Sequence, residues 1–353
     1  MISEQDVLNA LSKVQEPELH QDLAALHMIR DIAIDGDHVR FTIMLTTPAC
    51  PLKGRIEEEA RQAVLALPGV KDVQIKLDAE VNKDARLVEN KVLPAGIKNV
   101  IAVASGKGGV GKSTTAVNLA VALQRDGAKV GLLDADIYGP NIPMMMGIAE
   151  SERPVVTADQ RMTPLEGHGV KVISIGFLVD KDKALIWRGP MLNGVIRQFL
   201  MSVEWGDLDY LVVDLPPGTG DASLTLVQSV PLTGVVIVTT PQQVALSDVR
   251  RSIAMFNEVR VPILGIIENM SGLECPHCRH AIQLFEGHGG EALSREFDIP
   301  LVGQIPFDPA VGETGDHGVP VVIAKPESVQ AKVFQKAAEL VAARISVFQR
   351  EVL

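Results

Sequence analysis

Apolar side chains in residues 1–80 recur at two different spacings. Helical spacing is present at 5–14 and again at 52–64. Between these segments, apolar and polar residues alternate on both sides of Asp35-Gly36-Asp37, a turn sequence that joins two strands in a hairpin. Residues 73–77 alternate in the same way. The pattern predicts a small α+β domain with the element order αββαβ.

The rest of the chain follows a different pattern. Residues 81–97 carry mixed charges without periodicity and end near Pro94-Ala95-Gly96, so we interpret them as a linker. From 98 to 353, short apolar runs alternate with helical segments, which is typical of a mostly parallel sheet covered by helices on both faces. The runs predict strands at 99–104, 129–133, 211–213, 234–239, 263–267 and 301–305. The sequence thus predicts an α/β domain behind a small α+β domain.

A glycine-rich segment lies between the first of these strands and a helical segment. It meets the pattern G-x-x-x-x-G-K-[ST], in which glycines let backbone N–H groups converge on phosphates and the helix adds its N-terminal dipole. We expect ATP to be bound by nine consecutive residues: Gly106, Lys107, Gly108, Gly109, Val110, Gly111, Lys112, Ser113 and Thr114. Lys112 is expected to reach the β- and γ-phosphates, and the Ser113 hydroxyl to ligate Mg²⁺. The sequence therefore predicts a P-loop NTPase domain.

Three aspartates follow two other predicted strands. Asp134 and Asp136 end the second apolar run, and Asp214 ends the third. Ligands of parallel sheets bind at the carboxyl ends of the strands. Asp214 fits a Walker B aspartate that holds a Mg²⁺-bound water, Asp136 is a candidate for orienting the attacking water, and Asp134 for supporting the magnesium shell. The alternative is that these carboxylates only cap turns.

A Cys-x-x-Cys motif, Cys275 and Cys278, indicates a metal or cluster site. Two thiols at this spacing on a turn are able to hold one metal or one edge of a cluster. A zinc ion or a [4Fe–4S] cluster takes four ligands, but the third cysteine, Cys50, is more than 200 positions upstream. Two copies of the chain would supply four thiolates across a two-fold axis. A cramped single-chain zinc site with His277 and His280, and a redox dithiol, are the alternatives.

Composition restricts the partners. A net charge of −11 argues against the basic surface of a nucleic-acid binder and against adhesion to anionic lipid. No apolar run approaches the roughly 20 residues of a membrane span, and the polar, acidic start of the chain does not have the pattern of a signal peptide. Three cysteines do not make a disulfide framework. We therefore expect a cytoplasmic protein without nucleic-acid or membrane partners.

The glycine-rich segment has an additional lysine, Lys107, at its second position, and in this it resembles the deviant P-loop of the MinD/ParA/nitrogenase-reductase class. That resemblance implies a catalytic lysine that reaches across a dimer interface to the nucleotide of the partner. A second ammonium beside a triphosphate offsets the charge that builds up as the bond breaks. Whether Lys107 acts on its own nucleotide or on the partner's is left open by the sequence.

The motifs together resemble those of the Mrp/ApbC iron–sulfur cluster carriers. The residues that carry the resemblance are 106–114, 134–143, 187–191, 214–221, 269–271 and 275–278. The small domain resembles that of iron–sulfur assembly factors, which makes Cys50 a candidate functional thiol at a helix start as well as a candidate buried apolar residue. The resemblance also implies that Asn269 bonds the adenine edge.

The same resemblance implies a homodimer that holds a labile [4Fe–4S] cluster between its subunits. Such a carrier slowly hydrolyses ATP with Mg²⁺, receives its cluster from upstream scaffolds and passes it to apo-proteins. Two other functions compete with this one. A MinD/ParA-like positioning ATPase does not need the Cys-x-x-Cys motif. A nitrogenase-reductase-like electron carrier takes its cluster from widely spaced single cysteines, one of them after Walker B, and 214–221 contains none.

Overall fold

The computed structural model places the chain in two compact units. One consists of Met1–Asn82 with Ala342–Leu353, and the other of Lys83–Val341. The residues described are 2–87, 96–137, 139–177, 189–275, 277–278, 280–285 and 289–351.

The first unit is a three-stranded sheet with two helices packed against it. Its elements in chain order are α1 (Glu4–Leu11), β1 (Gln15–Glu16), β2 (Gln21–Asp22), β3 (Ile29–Asp35), β4 (His38–Leu45), α2 (Lys53–Leu65) and β5 (Asp72–Ala79). The hairpin β3–β4 is antiparallel, and β5 pairs with β4 in parallel after the crossover through α2. Gly36 turns the hairpin with a positive φ of 62°. The predicted αββαβ order is confirmed, with the short pair β1–β2 as an addition.

The second unit contains the remaining elements. They are β6 (Ile97–Ser105), α3 (Lys112–Arg125), β7 (Val130–Asp134), α4 (Ile142–Met145), β8 (Val155–Val156), β9 (Met162–Thr163), β10 (Leu165–Gly167), β11 (Val170–Ser174), α5 (Gly189–Ser202), β12 (Leu208–Asp214), α6 (Asp221–Ser229), β13 (Gly234–Thr239), α7 (Gln243–Glu258), β14 (Ile263–Glu274), β15 (Ala281–Ile282), α8 (Gly289–Phe297), β16 (Leu301–Phe307), α9 (Pro309–Asp316), α10 (Val321–Ala324) and α11 (Val329–Glu351). Helix α11 continues into the residues that group with the first unit.

The described residues form a nine-stranded sheet that is parallel except at β10 and β15. The strand order is β10-β11-β7-β12-β6-β13-β14-β15, and β16 pairs with β14. From β6 the chain runs to β7 and β11 on one side, returns at β12, and continues with β13, β14 and β16 on the other side. The central strands are buried because helices cover both faces. The loop after β6 therefore lies at the carboxyl edge of the middle of the sheet.

All six predicted strands are present, but β11 was not predicted. Its run is short and Lys171 interrupts the apolar residues, so neither the alternation nor an unbroken buried run is evident in the sequence. In the structure the Lys171 ammonium donates to the backbone oxygen of Trp205 at 2.6 Å. That bond gives the half-buried ammonium an acceptor at a position where β11 pairs in parallel with β7.

The predicted domain limits of 1–80, 81–97 and 98–353 stay a prediction. The structure groups residues up to Asn82 as one segment of the first unit, close to the expected end of the small domain. The predicted second domain continued to 353, whereas Ala342–Leu353 groups with the first unit. A helix of 23 residues is roughly 35 Å long, which is more than one layer of a small domain needs.

Candidate functional site

The glycine-rich loop joins the end of β6 to the start of α3. Gly109 and Gly111 have φ values of +80° and +87°, a region that side chains other than glycine rarely adopt. A Cβ on Gly106 would lie 2.6 Å from backbone atoms of Asp248 and Val249, and one on Gly111 would overlap the amide of Asn269. These glycines therefore permit both the turn and the close approach of neighbouring elements.

Lys112, Ser113 and Asp214 meet at the start of α3. The Lys112 ammonium lies 2.6 Å from Asp214 Oδ1, and the Ser113 hydroxyl donates to Asp214 Oδ2 at 2.6 Å. Lys112 Nζ is also 3.3 Å from Asp136 Oδ2. Lys112 is only 6% exposed and Asp214 is fully buried. The structure thus brings the predicted lysine, hydroxyl and Walker B carboxylate into direct contact.

Asp134 lies between Asp214 and Ser174 because three neighbouring strands end in register. Asp134 on β7 is paired with Asp214 on β12 and with Ser174 on β11. The Ser174 hydroxyl donates to Asp134 Oδ2 at 2.8 Å, and the Asp136 N–H donates to Asp134 Oδ1 at 3.1 Å. The predicted carboxylates therefore share one edge of the sheet, and Ser174 fixes the orientation of Asp134.

Burial disfavours the charged form of the two aspartates that end β7 and β12. Burial, reinforced by the negative charge of Asp214, raises the pKa of Asp134 to about 8. Burial also raises the pKa of Asp214, while Lys112 opposes that change. Carboxylate and hydroxyl oxygens are the ligands that Mg²⁺ prefers. The donor set of Ser113, Asp134 and Asp214 therefore fits a magnesium ion.

Replacing Asp134 with asparagine is expected to flatten the dependence of stability on pH. Because the ordinary pKa is 3.8 and the folded value is about 8, the folded chain keeps this proton while the unfolded chain loses it as the pH rises. The contribution of this proton to the free energy of unfolding is complete below about pH 4. It then decreases by at most about 1.4 kcal/mol per pH unit until about pH 8. Asp134→Asn should therefore lose less stability than the wild type between pH 5 and 8.

Urea unfolding in magnesium-free buffer at pH 5, 6.5 and 8 measures this difference. Asp207→Asn, at an exposed position of the same unit, is the control and should follow the wild type. Parallel curves for Asp134→Asn and the wild type would contradict the assigned titration.

Lys107 and Asn269 each donate one side-chain hydrogen bond beside or within the glycine-rich loop. The Lys107 ammonium donates to Gln242 Oε1 at 3.0 Å, just before α7. Asn269 Nδ2 donates to the Val110 carbonyl oxygen at 3.0 Å. The resemblance implied a bond from Asn269 to adenine, and that role stays a prediction. In the structure the side-chain amide of Asn269 connects β14 to the glycine-rich loop through this hydrogen bond.

The thiols of Cys275 and Cys278 lie at the tip of the β14–β15 hairpin. Cys275 N–H donates to the His280 carbonyl oxygen at 2.9 Å, which closes the hairpin. Hydrogen bonds from the backbone N–H groups of Cys278 and His277, in that order, lower the pKa of the Cys275 thiol. Cys278 is exposed and Cys275 is half-buried. The tip therefore presents two accessible thiols and stabilises one thiolate.

His277 and His280 do not complete a metal site with these thiols. Within the described ranges, no three His, Cys, Asp or Glu side chains converge in a way that would hold a metal ion. Zinc takes four ligands, and the described part of one hairpin therefore provides two of them, the thiols of Cys275 and Cys278.

Cys50 is part of the apolar core of the first unit. It is buried together with Phe41, Ile43 and Ile56. Burial raises the pKa of its thiol to about 11. A thiol in this state is almost fully protonated at neutral pH and is a poor nucleophile. Of the two interpretations of Cys50, the structure supports the buried apolar residue.

Two residues that bond predicted site residues, Ser174 and Gln242, were not predicted from the sequence. Ser174 ends a strand that was not predicted, although an apolar run ending in a polar residue was the signal used for Asp134 and Asp214. Gln242 follows the predicted strand at 234–239, but nothing in the sequence pairs it with Lys107. Among the motif residues, Tyr138, Trp187, Arg188 and Pro276 lie outside the described residues.

Comparison with known proteins gives consistent matches over both units. The family model for the NUBPL iron-transfer P-loop NTPase (ParA) matches residues 96–342, and that for the iron–sulfur cluster assembly protein matches residues 4–77. The iron–sulfur cluster carrier protein of Synechocystis is 51% identical over 350 residues, covering 98% of this chain and 99% of that protein. The protein of the same description from Escherichia coli is 43% identical over 347 residues, with coverage of 98% and 93%.

Solved structures show the same likeness. The nucleotide-binding protein of Archaeoglobus fulgidus in complex with ADP is 42% identical with a TM-score of 0.57, over 63% of this chain and 87% of that one. The septum site-determining protein MinD of Pyrococcus horikoshii, complexed with Mg-ADP, is 26% identical with a TM-score of 0.52, over 68% and 94%. The predicted P-loop NTPase fold is confirmed. Among the described helices, none has the length and apolarity required to cross a bilayer.

Proposed function

Because this chain belongs to the iron–sulfur cluster carrier family of P-loop NTPases, we propose that it carries a labile [4Fe–4S] cluster between two copies of itself and hydrolyses ATP slowly while loading or releasing it. The observation that carries the proposal is the course of β14, which is one strand from Ile263 to Glu274 although its pairing with β16 is irregular between Asn269 and Leu273. Its residue Asn269 bonds the phosphate loop, and the strand leads directly to Cys275. One strand therefore connects the nucleotide site with the cluster thiols.

On the nucleotide side, the proposal assigns each contact a task. The loop N–H groups and the N-terminus of α3 bind the phosphates. The Lys112 ammonium leaves Asp214 and binds phosphate oxygens instead. Ser113, Asp134 and Asp214 hold Mg²⁺, which supplies positive charge to the β- and γ-phosphates when it is bound. Asp136, 3.3 Å from Lys112, orients the attacking water. Asn269 contacts the adenine edge in addition to the loop.

Lys107 is proposed to act on the nucleotide of the partner copy. Its ammonium is held by the neutral amide oxygen of Gln242, a partner that a phosphate oxygen readily replaces because the phosphate is charged. A second ammonium at the γ-phosphate stabilises the charge that develops in the transition state. Dimerisation would in that way complete the catalytic site.

On the cluster side, the count of thiols favours two copies. Each hairpin offers Cys275 and Cys278, whereas Cys50 is buried in the core of the other unit. A [4Fe–4S] cluster takes four thiolates, so two hairpins related by a two-fold axis provide the complete set. The iron–sulfur cluster is the cargo of the protein, received from an upstream scaffold and delivered to an apo-protein.

Transfer follows from the weakness of a shared site. Each copy holds the cluster by two bonds only, so separating the hairpins leaves it accessible to the thiolates of an acceptor. ATP shifts the balance between closed and separated pairs if it binds the two with different affinity. We place the protein in the cytoplasm, where a reducing compartment keeps the thiols free.

Iron and acid-labile sulfide, determined with the solution mass of anaerobically prepared protein, test the proposal. We expect about four iron and four sulfide per dimer, and transfer to an apo-acceptor that responds to ATP. A monomer with a full complement of iron and sulfide would overturn it. A cluster that is retained in the presence of the acceptor but is reduced and reoxidised would indicate the electron carrier instead.

A further inference from the structure

An exposed row of apolar side chains crosses the sheet beside the cysteine hairpin. Leu273 on β14 is paired with Ile282 on β15 and with Phe307 on β16. Directly paired residues of neighbouring strands point to the same face, so the three side chains form one row, here called the apolar row. Ile282 is 40% exposed and Phe307 is 39% exposed, while Leu273 is half-buried.

The apolar row is on the same face as Cys275. Leu273 and Cys275 are two residues apart, and side chains of a strand return to the same face with this period. The ladder of the hairpin continues to Cys275, whose N–H bonds the His280 carbonyl oxygen. Glu274 and Ala281, the pair between them, point to the other face. The apolar row therefore begins roughly 7 Å along the strand from a cluster thiol.

We propose that the apolar row packs against the apolar row of a second copy and shields the shared cluster from water. The inference rests on the proposed function, because two thiols per chain leave the cluster site incomplete without the second copy. Both Cys275 side chains bind the same cluster, so the faces that carry them oppose each other across the two-fold axis. The apolar row of each copy then lies beside the cluster and opposite its counterpart.

Burial of these side chains changes two properties of the cluster. It adds apolar area to the contact between the copies, at about 25 cal/mol per Å² removed from water. It also lowers the access of water and chelators to the iron–thiolate bonds, since the apolar surroundings of a metal site control solvent entry. The rate at which a chelator removes iron is thus a direct measure of the shielding.

Ile282→Lys tests the proposal, with Phe307→Lys as an independent second variant. Val155→Lys is the matched control, because Val155 is 67% exposed but belongs to the separate two-stranded sheet β8–β9. After anaerobic reconstitution, we expect either row variant to lose iron to a chelator at least about tenfold faster than the wild type. Either variant should also dissociate to monomers at a higher protein concentration than the wild type does. Val155→Lys should behave as the wild type, and unchanged ADP affinity shows that the variants fold.

Wild-type mass and wild-type chelator resistance in both row variants would overturn the proposal. So would variants that keep both properties but no longer deliver the cluster, because the row would then contact the acceptor protein. The Cys278→Ala variant distinguishes a failure of the proposed function from a failure of the apolar-row proposal. If Cys278→Ala keeps its iron, the cluster assignment itself is wrong, whereas iron loss in Cys278→Ala without an effect of Ile282→Lys contradicts the apolar row alone.

Discussion

Replacing Cys278 with alanine is expected to reduce the iron and sulfide bound after anaerobic reconstitution to background, and Cys275→Ala should do the same. Under the proposed function, each change removes two of the four thiolates of a shared cluster, one from each copy. The two thiolates that remain lie on separate chains, so no copy retains a two-point grip. The absorbance of the thiolate-to-iron transitions and a colorimetric iron assay measure the loss.

Cys50→Ala is the matched control for the cysteine variants. The Cys50 thiol is 6% exposed in an apolar core, and burial raises its pKa to about 11. The variant should retain the full cluster load and lose only about 1 kcal/mol of stability through a small change of core volume. A cluster that survives Cys275→Ala or Cys278→Ala, or disappears in Cys50→Ala, would show that the hairpin is not the cluster site.

Replacing Lys112 with glutamine is expected to slow ATP hydrolysis by about 100-fold or more. The ammonium is the positive charge nearest the predicted γ-phosphate position, and removing one preorganised group of this kind typically costs two to three orders of magnitude. Glutamine is preferred over alanine because its amide still donates to Asp214. An unpaired Asp214 in a fully buried position would destabilise the protein by roughly 3–5 kcal/mol.

Lys98→Gln provides the control for Lys112→Gln. Lys98 lies on the same strand-and-helix unit, near the start of β6, and pairs with Asp209 at 2.8 Å. Its removal should leave the hydrolysis rate within about twofold, because this half-buried pair lies near the amino end of β6 and the phosphate loop follows the carboxyl end. Phosphate release under saturating ATP and magnesium compares the variants. Equal rates for Lys112→Gln and the wild type would exclude Lys112 from the reaction.

The phosphate loop was predictable because its information is local. The glycines, Lys112 and Ser113 occupy fixed positions in one segment, and the flanking apolar run and helix supply the context. The strands that end in Asp134 and Asp214 were predictable for the same reason, since each is an unbroken apolar run. What the sequence did not contain is the register that sets these two aspartates side by side.

The contacts that were not predicted are between distant positions. Gln242 is 135 residues from Lys107, and Val110 is 159 residues from Asn269. Without the strand order, no periodicity or composition relates such positions. Ser174 was missed for a different reason. Its strand carries Lys171 among the apolar residues, and the sequence does not show that the backbone oxygen of Trp205 accepts a hydrogen bond from that lysine.

The first unit is discontinuous in the chain, since it takes Met1–Asn82 from one end and Ala342–Leu353 from the other. Topologically, the whole P-loop unit is an insertion in the small one. A fragment that stops at residue 82 therefore lacks the helical residues from Ala342 to Glu351 that group with this unit. A fusion of Asn82 to Ala342 through a linker would contain all the segments that group as the first unit.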